Sequence, residues 1–263
     1  VDPRAHPYQR EGIGYLRARR RAVLADEMGL GKTAQLLLAA HPGAPIVVIC
    51  PALAKGVWAL ECRNWTPERR AYLLSGKGSF RWPRVGEVVV INYDVLPPAG
   101  SVLPPPPPGV VLIADEAHYC KGATHRSRAT AQLVRMVGAA PGGKVWAATG
   151  TPLANWPPDL WRVLSTFGLA DVSFGSWPRF VSLFGGTKDR WGKWSWKPPH
   201  PSVPGILSRV MLRRTRAQVL PQLPQKSYAT LPVPLSDPDT RAIEDLLRAA
   251  GVRVSEITPD TLS

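Results

Sequence analysis

Eight consecutive residues, Asp26-Glu27-Met28-Gly29-Leu30-Gly31-Lys32-Thr33, carry the types that hold a polyphosphate. Gly29 and Gly31 free the backbone to aim N–H groups into one concavity. Lys32 can reach the outer phosphates, and the Thr33 hydroxyl suits Mg²⁺. Met28, Leu30 and Ala34 complete this candidate ATP-contacting loop. The common pattern G-x-x-x-x-G-K-[ST] has Gly where Asp26 stands, so the match is to its G-x-G-K-T half.

A second group, Asp115-Glu116-Ala117-His118, closes an apolar run. Asp115 suits Mg²⁺ through water, because that ion dehydrates reluctantly. Glu116 suits the orientation and deprotonation of an attacking water. The plainer reading is a pair of helix-start carboxylates, worth about 0.3–1 kcal/mol. Their place at a strand end downstream of a phosphate loop favours catalysis. His118 is either a satisfied core histidine or a coupler between nucleotide state and the next motif. Thr149-Gly150-Thr151-Pro152 is a turn by its spacing alone and, in this company, a relay.

These groups need a scaffold that brings strand ends together. Ala22–Ala25, Ile46–Cys50, Val88–Ile91, Val110–Ala114 and Val145–Ala148 are short continuous apolar runs. Strands apolar on both faces belong in a parallel sheet covered by helices on each side. Helix-like segments fall between them, at Ala34–Ala40, Ala52–Asn64 and Ala123–Val137. The alternation predicts a doubly wound α/β fold with ligands at the carboxyl ends of the strands. Ahead of it, residues 1–20 read as a loop and a basic helix burying Ile13 and Leu16. Gln9 carries the donor and acceptor that suit an adenine edge, though alone it is an ordinary surface residue. Pro104–Pro108 reads as a stiff polyproline II spacer. A strand over Lys226–Leu235 and a final helix from Asp237, with Ile243, Leu246, Leu247 and Ala250 on one face, close the chain.

The 263 residues carry a formal net charge of +14 and are 44% hydrophobic. Such a balance supports a full core and a polyanionic partner, with solubility alone as the bland alternative. Cys50, Cys62 and Cys120 have no metal-ligand spacing, and a reducing compartment fits them. No apolar run reaches the ~20 residues of a membrane span, and no signal peptide is read. From Phe174 to Pro201 the chain turns aromatic and basic. That interleaving binds nucleic acid by stacking in some proteins, and in others it packs its own small core. The balance leans to packing.

Taken together, the motifs resemble the ATPase motor of the Swi/Snf-type family in helicase superfamily 2. Tyr8–Gly12 is similar to that family's adenine-reading motif, and Ala25–Thr33 to its LADEMGLGKT signature. Pro51, Trp58, Glu61 and Trp65, then Asn92–Asp94, match further segments. Asp115–His118 with Lys121 stands for DEAH…K, and Thr149–Leu153 with Asn155, Leu160 and Trp161 for TGTPLxN…ELW. Met211–Arg214, Val219-Leu220 and Leu223-Pro224 resemble the lobe's closing LRR…VL…LP. The tryptophan-rich insertion resembles the annealing-helicase (HARP-like) branch. Trp156, Asp159 and Gly122 depart from the pattern.

The resemblance implies a RecA-like, P-loop NTPase lobe over residues 1–225, the first of a two-lobe helicase core, with an insertion at about 174–204. Residues 226–263 would lead towards a second lobe, whose Q-x-x-x-R-x-x-R-x-G-Q segment does not occur here. It implies ATP and Mg²⁺, with Tyr8 and Gln9 at the base, Lys32 on phosphates, Thr33 and Asp115 on the metal, Glu116 on water, and coupling through His118, Thr149, Gly150 and Thr151. Double-stranded DNA would lie on Pro51, Lys55, Lys121, Thr124 and Arg126. The function implied is a DNA-dependent ATPase and translocase. The alternatives are a nucleotide- and DNA-binding module without appreciable turnover alone, or the motor of another superfamily 2 enzyme such as a restriction-type translocase. The place of action would be the nucleoid of a bacterial or viral system, which abundant Arg and Pro hint at, or the nucleus of a eukaryote.

Overall fold

Apolar β-branched runs pair into one sheet in the computed structural model, which describes residues 2–150, 156–222 and 245. In chain order the first elements are α1 (Pro7–Arg17), β1 (Arg21–Leu24), α2 (Lys32–Ala39), β2 (Ile46–Cys50), α3 (Lys55–Trp65), β3 (Arg70–Leu73) and β4 (Glu87–Asn92). After them come β5 (Val111–Ala114), α4 (His125–Ala139), β6 (Lys144–Ala148) and α5 (Pro157–Thr166). The sheet order is β3-β4-β2-β5-β6-β1 with a short last strand at the far edge, and every pairing is parallel.

Every residue of β2 and β5 is buried. Along β2, Ile46, Val48 and Cys50 join the core on one face, and Val47 and Ile49 the core on the other. That double burial is why these strands lack a polar face, each such side chain contributing roughly 1.5–3 kcal/mol. Within α1, Ile13 and Leu16 are fully buried, and Pro7 takes the first turn, where no N–H is needed. The segment expected as one helix from Ala52 begins with a tighter turn, Ala52–Ala54, before α3. Strand β3 has no signal in the sequence: Arg-Ala-Tyr-Leu is too short and too exposed to show a pattern, and pairing with β4 decides it.

The insertion folds as α6 (Ala170–Phe174), α7 (Trp177–Leu183), the antiparallel pair β7 (Thr187–Lys188) and β8 (Trp194–Ser195), and α8 (Val203–Leu207). Phe174 and Phe180 are fully buried beneath its tryptophans, so the packing reading holds for its base. Strand β9 (Met211–Leu212) then lies beside β1, ahead of α9 (Arg216–Val219).

The chain divides into a unit Val1–Pro221 and a unit Gln222–Ser263. The expected Leu223-Pro224, the strand at Lys226–Leu235 and the helix from Asp237 lie outside the described residues, apart from Asp245, as do Thr151–Asn155. No helix among the described residues is long and apolar enough to cross a membrane.

Candidate active site

Strand β6 stands between β1 and β5, with Ala148 opposite Leu24 and Ala147 opposite Ala114. Because the three strands are parallel, the segments leaving them emerge at one sheet edge. Thr149 N–H donates to the Leu24 carbonyl at 3.1 Å, and Asp115 N–H to that of Ile49 at 2.8 Å. A Cβ at Gly150 would stand 2.6 Å from Met28 Cγ and 3.2 Å from Lys32 Nζ, so the relay segment touches the phosphate loop directly. Three motifs far apart in sequence thus share one crevice.

Gly29 and Gly31 adopt φ of 83° and 66°, which favours glycine at both turns of the loop. Gly31 immediately precedes α2, whose first N–H groups have no partner within the helix. The Lys32 ammonium donates to the carbonyls of Asp26 at 2.9 Å and Glu27 at 3.3 Å. Burial holds its pKa below the ordinary lysine value, against the opposing pull of Glu116, Asp115 and Asp26. Met28 is exposed, whereas Leu30 is fully buried and anchors the loop. Gln9 is buried too: its Oε1 accepts from His6 N–H at 2.9 Å, and its Nε2 donates to Leu30 O at 3.4 Å. Tyr8 is buried beside it.

The two acids differ. Asp115 accepts from Trp58 Nε1–H at 2.8 Å and from Glu116 N–H at 2.9 Å, while Tyr93 Oη–H donates to its carbonyl at 2.7 Å. Burial pushes the Asp115 carboxyl above its usual range, partly opposed by the Trp58 hydrogen bond. A bound cation would favour its ionised form, and the Asp115 carboxylate with the Thr33 hydroxyl is an oxygen donor set that fits Mg²⁺. Glu116 is the one non-glycine with positive φ among the described residues, at 49°. That conformation costs roughly 1–2 kcal/mol. His118 Nδ1 lies 3.1 Å from Glu116 Oε2. This contact holds the Glu116 carboxyl below its usual range, helped by Lys32 and by the Gly150 N–H.

Beneath the loop, Asp26 explains the departure from the usual glycine. Fully buried, it pairs with Arg214: Arg214 N and Nε donate to Oδ1 at 3.1 and 3.0 Å, and Nη2 to Oδ2 at 2.5 Å. Arg214 also donates to Gln35 Oε1 at 2.9 Å and to the Tyr8 carbonyl. Glu27 N–H donates to Arg214 O at 2.9 Å, and Arg216 clasps Glu27 Oε2 and Met28 O at 2.7 and 2.8 Å. Asp26, Gln35, Trp58, Tyr93, Arg214 and Arg216 therefore position the site, yet only motif membership marks some of them in the sequence. No local pattern pairs residues 188 positions apart.

The DNA candidates gather near the same edge, because β2 and β5 are neighbours. Pro51 follows β2 and Lys121 is exposed beyond β5. Lys55 donates to Leu74 O and Ser75 Oγ, Thr124 caps α4, and Arg126 pairs with Asp94 at 2.6 Å, so these three are engaged within the chain. Thr151 lies outside the described residues.

Comparisons with known proteins identify the chain's relatives. The SNF2-related domain profile matches residues 8–255. The Bos taurus DNA annealing helicase and endonuclease ZRANB3 is 28% identical over 246 residues, covering 87% of this chain and 22% of that protein. The Bos taurus SWI/SNF-related matrix-associated actin-dependent regulator of chromatin subfamily A-like protein 1 is 30% identical, over 84% of this chain and 23% of that protein. The chain thus spans about a fifth of the length of these relatives. The Sulfolobus solfataricus SWI2/SNF2 ATPase core, solved in complex with dsDNA, superposes with a TM-score of 0.62 at 25% identity, over 82% of this chain and 45% of that one. The profile covers most of the chain, and the chain belongs to the SNF2-related family of helicase-like ATPase domains.

Proposed function

We propose that this domain is the ATP-binding first lobe of a double-stranded DNA translocase, which hydrolyses ATP with Mg²⁺ once a second lobe completes the site. The observation that carries the reading is the meeting of Lys32, Glu116 and Gly150 at one edge. In this account the backbone of Gly29–Thr33 cradles the phosphates, and the Lys32 ammonium exchanges loop carbonyls for phosphate oxygens. Tyr8 and Gln9 border the base. Glu116 accepts the proton of the water that attacks the terminal phosphorus, as the bond to the ADP oxygen breaks. Mg²⁺ held by Thr33 and Asp115 would neutralise charge between the outer phosphates.

Gly150 touches the loop and Glu116 together, and His118 contacts Glu116. Movement of either element with nucleotide state would therefore reach Thr149–Thr151 and the neighbouring lobe. Duplex DNA runs along Pro51, Lys55, Lys121, Thr124 and Arg126. The chromatin-related relatives support a nuclear setting where the source is eukaryotic.

Phosphate release, with and without duplex DNA, tests this. The chain alone turns over weakly, and supplying the second lobe raises the rate by about 10³–10⁵ if that lobe brings an arginine finger. Full turnover by the chain alone would overturn the half-site account. Duplex affinity falls steeply with salt; a flat salt titration would contradict the DNA reading.

A further inference from the structure

We propose that α5 and the insertion form between them a second nucleic-acid site, a tryptophan-lined cup that takes unpaired bases of single-stranded DNA. A cavity of about 450 Å³ opens between Trp156, Pro158, Trp161, Arg162, Trp177 and Trp194. Its rings meet at steep angles: Trp161 and Trp177 at 67° with centroids 5.5 Å apart, Trp177 and Trp194 at 86° and 6.0 Å. Trp177 also stacks on Phe180 at 5.5 Å and Trp194 on Trp196 at 5.2 Å, so one face of each ring is covered, while both rings still border the cavity. Beneath them Phe174 and Phe180 are fully buried and already fill the core. Trp161, Trp177 and Trp194 stay only partly buried, and Trp156 at the rim is 44% exposed.

Charge identifies the occupant. Residues 174–204 contain Arg179, Lys188, Arg190, Lys193 and Lys197 against one acid, Asp189. Arg162 is exposed at the cup itself, and the Lys188 ammonium lies 6.0 Å from the Trp194 ring centre. Aromatic faces with surrounding cations match bases joined by phosphates. A paired base hides its faces in the duplex stack, so the cup selects unpaired ones. Helix α5, which carries Trp161 and Arg162, packs against the Ala117–Cys120 turn that follows the paired acids. An unpaired base would therefore be held beside the ATPase crevice. This inference shares with the proposed function only the premise of a nucleic-acid partner.

The test is fluorescence anisotropy of the full chain with an oligo-thymidine of about 15 nucleotides, an abasic strand of equal length and a matching duplex. Trp156→Ala and Trp194→Ala each weaken oligo-thymidine binding by about tenfold, Trp194→Phe restores most of it, and duplex affinity stays within about twofold. Thermal melts report folding independently of any ligand. Equal binding of the abasic strand, equal losses on duplex and single strand, or no loss in folded variants would each overturn the cup. So would a proline-rich peptide that binds in a Trp194-dependent way while oligo-thymidine does not, since aromatic grooves also take polyproline II. Oligo-thymidine binding that survives in a chain unable to bind ATP would leave the cup standing and remove only the ATPase reading.

Discussion

The phosphate crevice and the aromatic insertion are built on opposite principles. The crevice is polar and fixed by long-range bonds, with a buried carboxylate held to an arginine far along the chain. Its floor is over-determined, which is what a strained Glu116 and a glycine-bent loop require. The insertion is held by rings in local contact and keeps its charges outside. Its aromatic rings supply adhesion without fixing any one atom. A site for chemistry needs the first design, and a site for tolerant binding is served by the second.

Substitutions should separate the two regions, beginning with the largest effect. With the second lobe present, Glu116→Gln lowers phosphate release by about 10²–10⁴ and leaves nucleotide affinity intact. A comparable loss from Trp194→Ala would erase the division between regions. Lys32→Ala weakens binding of a fluorescent ATP analogue on the order of a hundredfold, the worth of charge-assisted bonds to phosphate. Unchanged affinity in the titration would refute its assignment.

Stability sharpens the contrast further. Arg214→Ala strands Asp26 as a buried unpaired charge and costs about 3–5 kcal/mol in urea unfolding. Replacing Asp26 by Asn in the same chain recovers part of that loss. Arg190→Ala, on the exposed hairpin, stays within about 0.5 kcal/mol. Equal costs would mean that the crevice floor is no more fixed than the insertion.

The smallest effect concerns the thiols. Burial pushes Cys50 and Cys120 up to about 12 and Cys62 to about 11, from an ordinary 9.0. Their contribution to stability is complete below pH 9.0 and is lost as pH rises through those raised values. At a pH just below 9.0, alkylation therefore follows unfolding alone. Rapid labelling of the folded chain would contradict the closed core.

Much of the crevice and its scaffold is legible in the amino-acid sequence. Gly29, Gly31 and Lys32 disclose themselves because the phosphate-loop motif fixes both residue type and spacing, and β2 and β5 because double burial removes every polar side chain. What the sequence hides acts across the chain. Trp58 meets Asp115 from 57 positions away, and Arg214 meets Asp26 from 188. Such partners follow from strand order, which no local period records. The left-handed turn at Glu116 is equally invisible, since glutamate carries no preference for it. The insertion is legible in composition but not in use: the same tryptophans suit a core or a stacking surface, and only their partial burial separates the two.

The central claim is that a triphosphate and its magnesium ion lie between the Gly29–Thr33 backbone and the Asp115–Glu116 pair. A crystal structure with a non-hydrolysable ATP analogue and Mg²⁺ tests it most directly. The account predicts phosphate density against the N–H groups of Gly29 to Thr33, the Lys32 ammonium turned from the Asp26 carbonyl onto it, and a cation within one water of Asp115. Nucleotide bound elsewhere on a correctly folded domain, with this crevice open and empty, would contradict it.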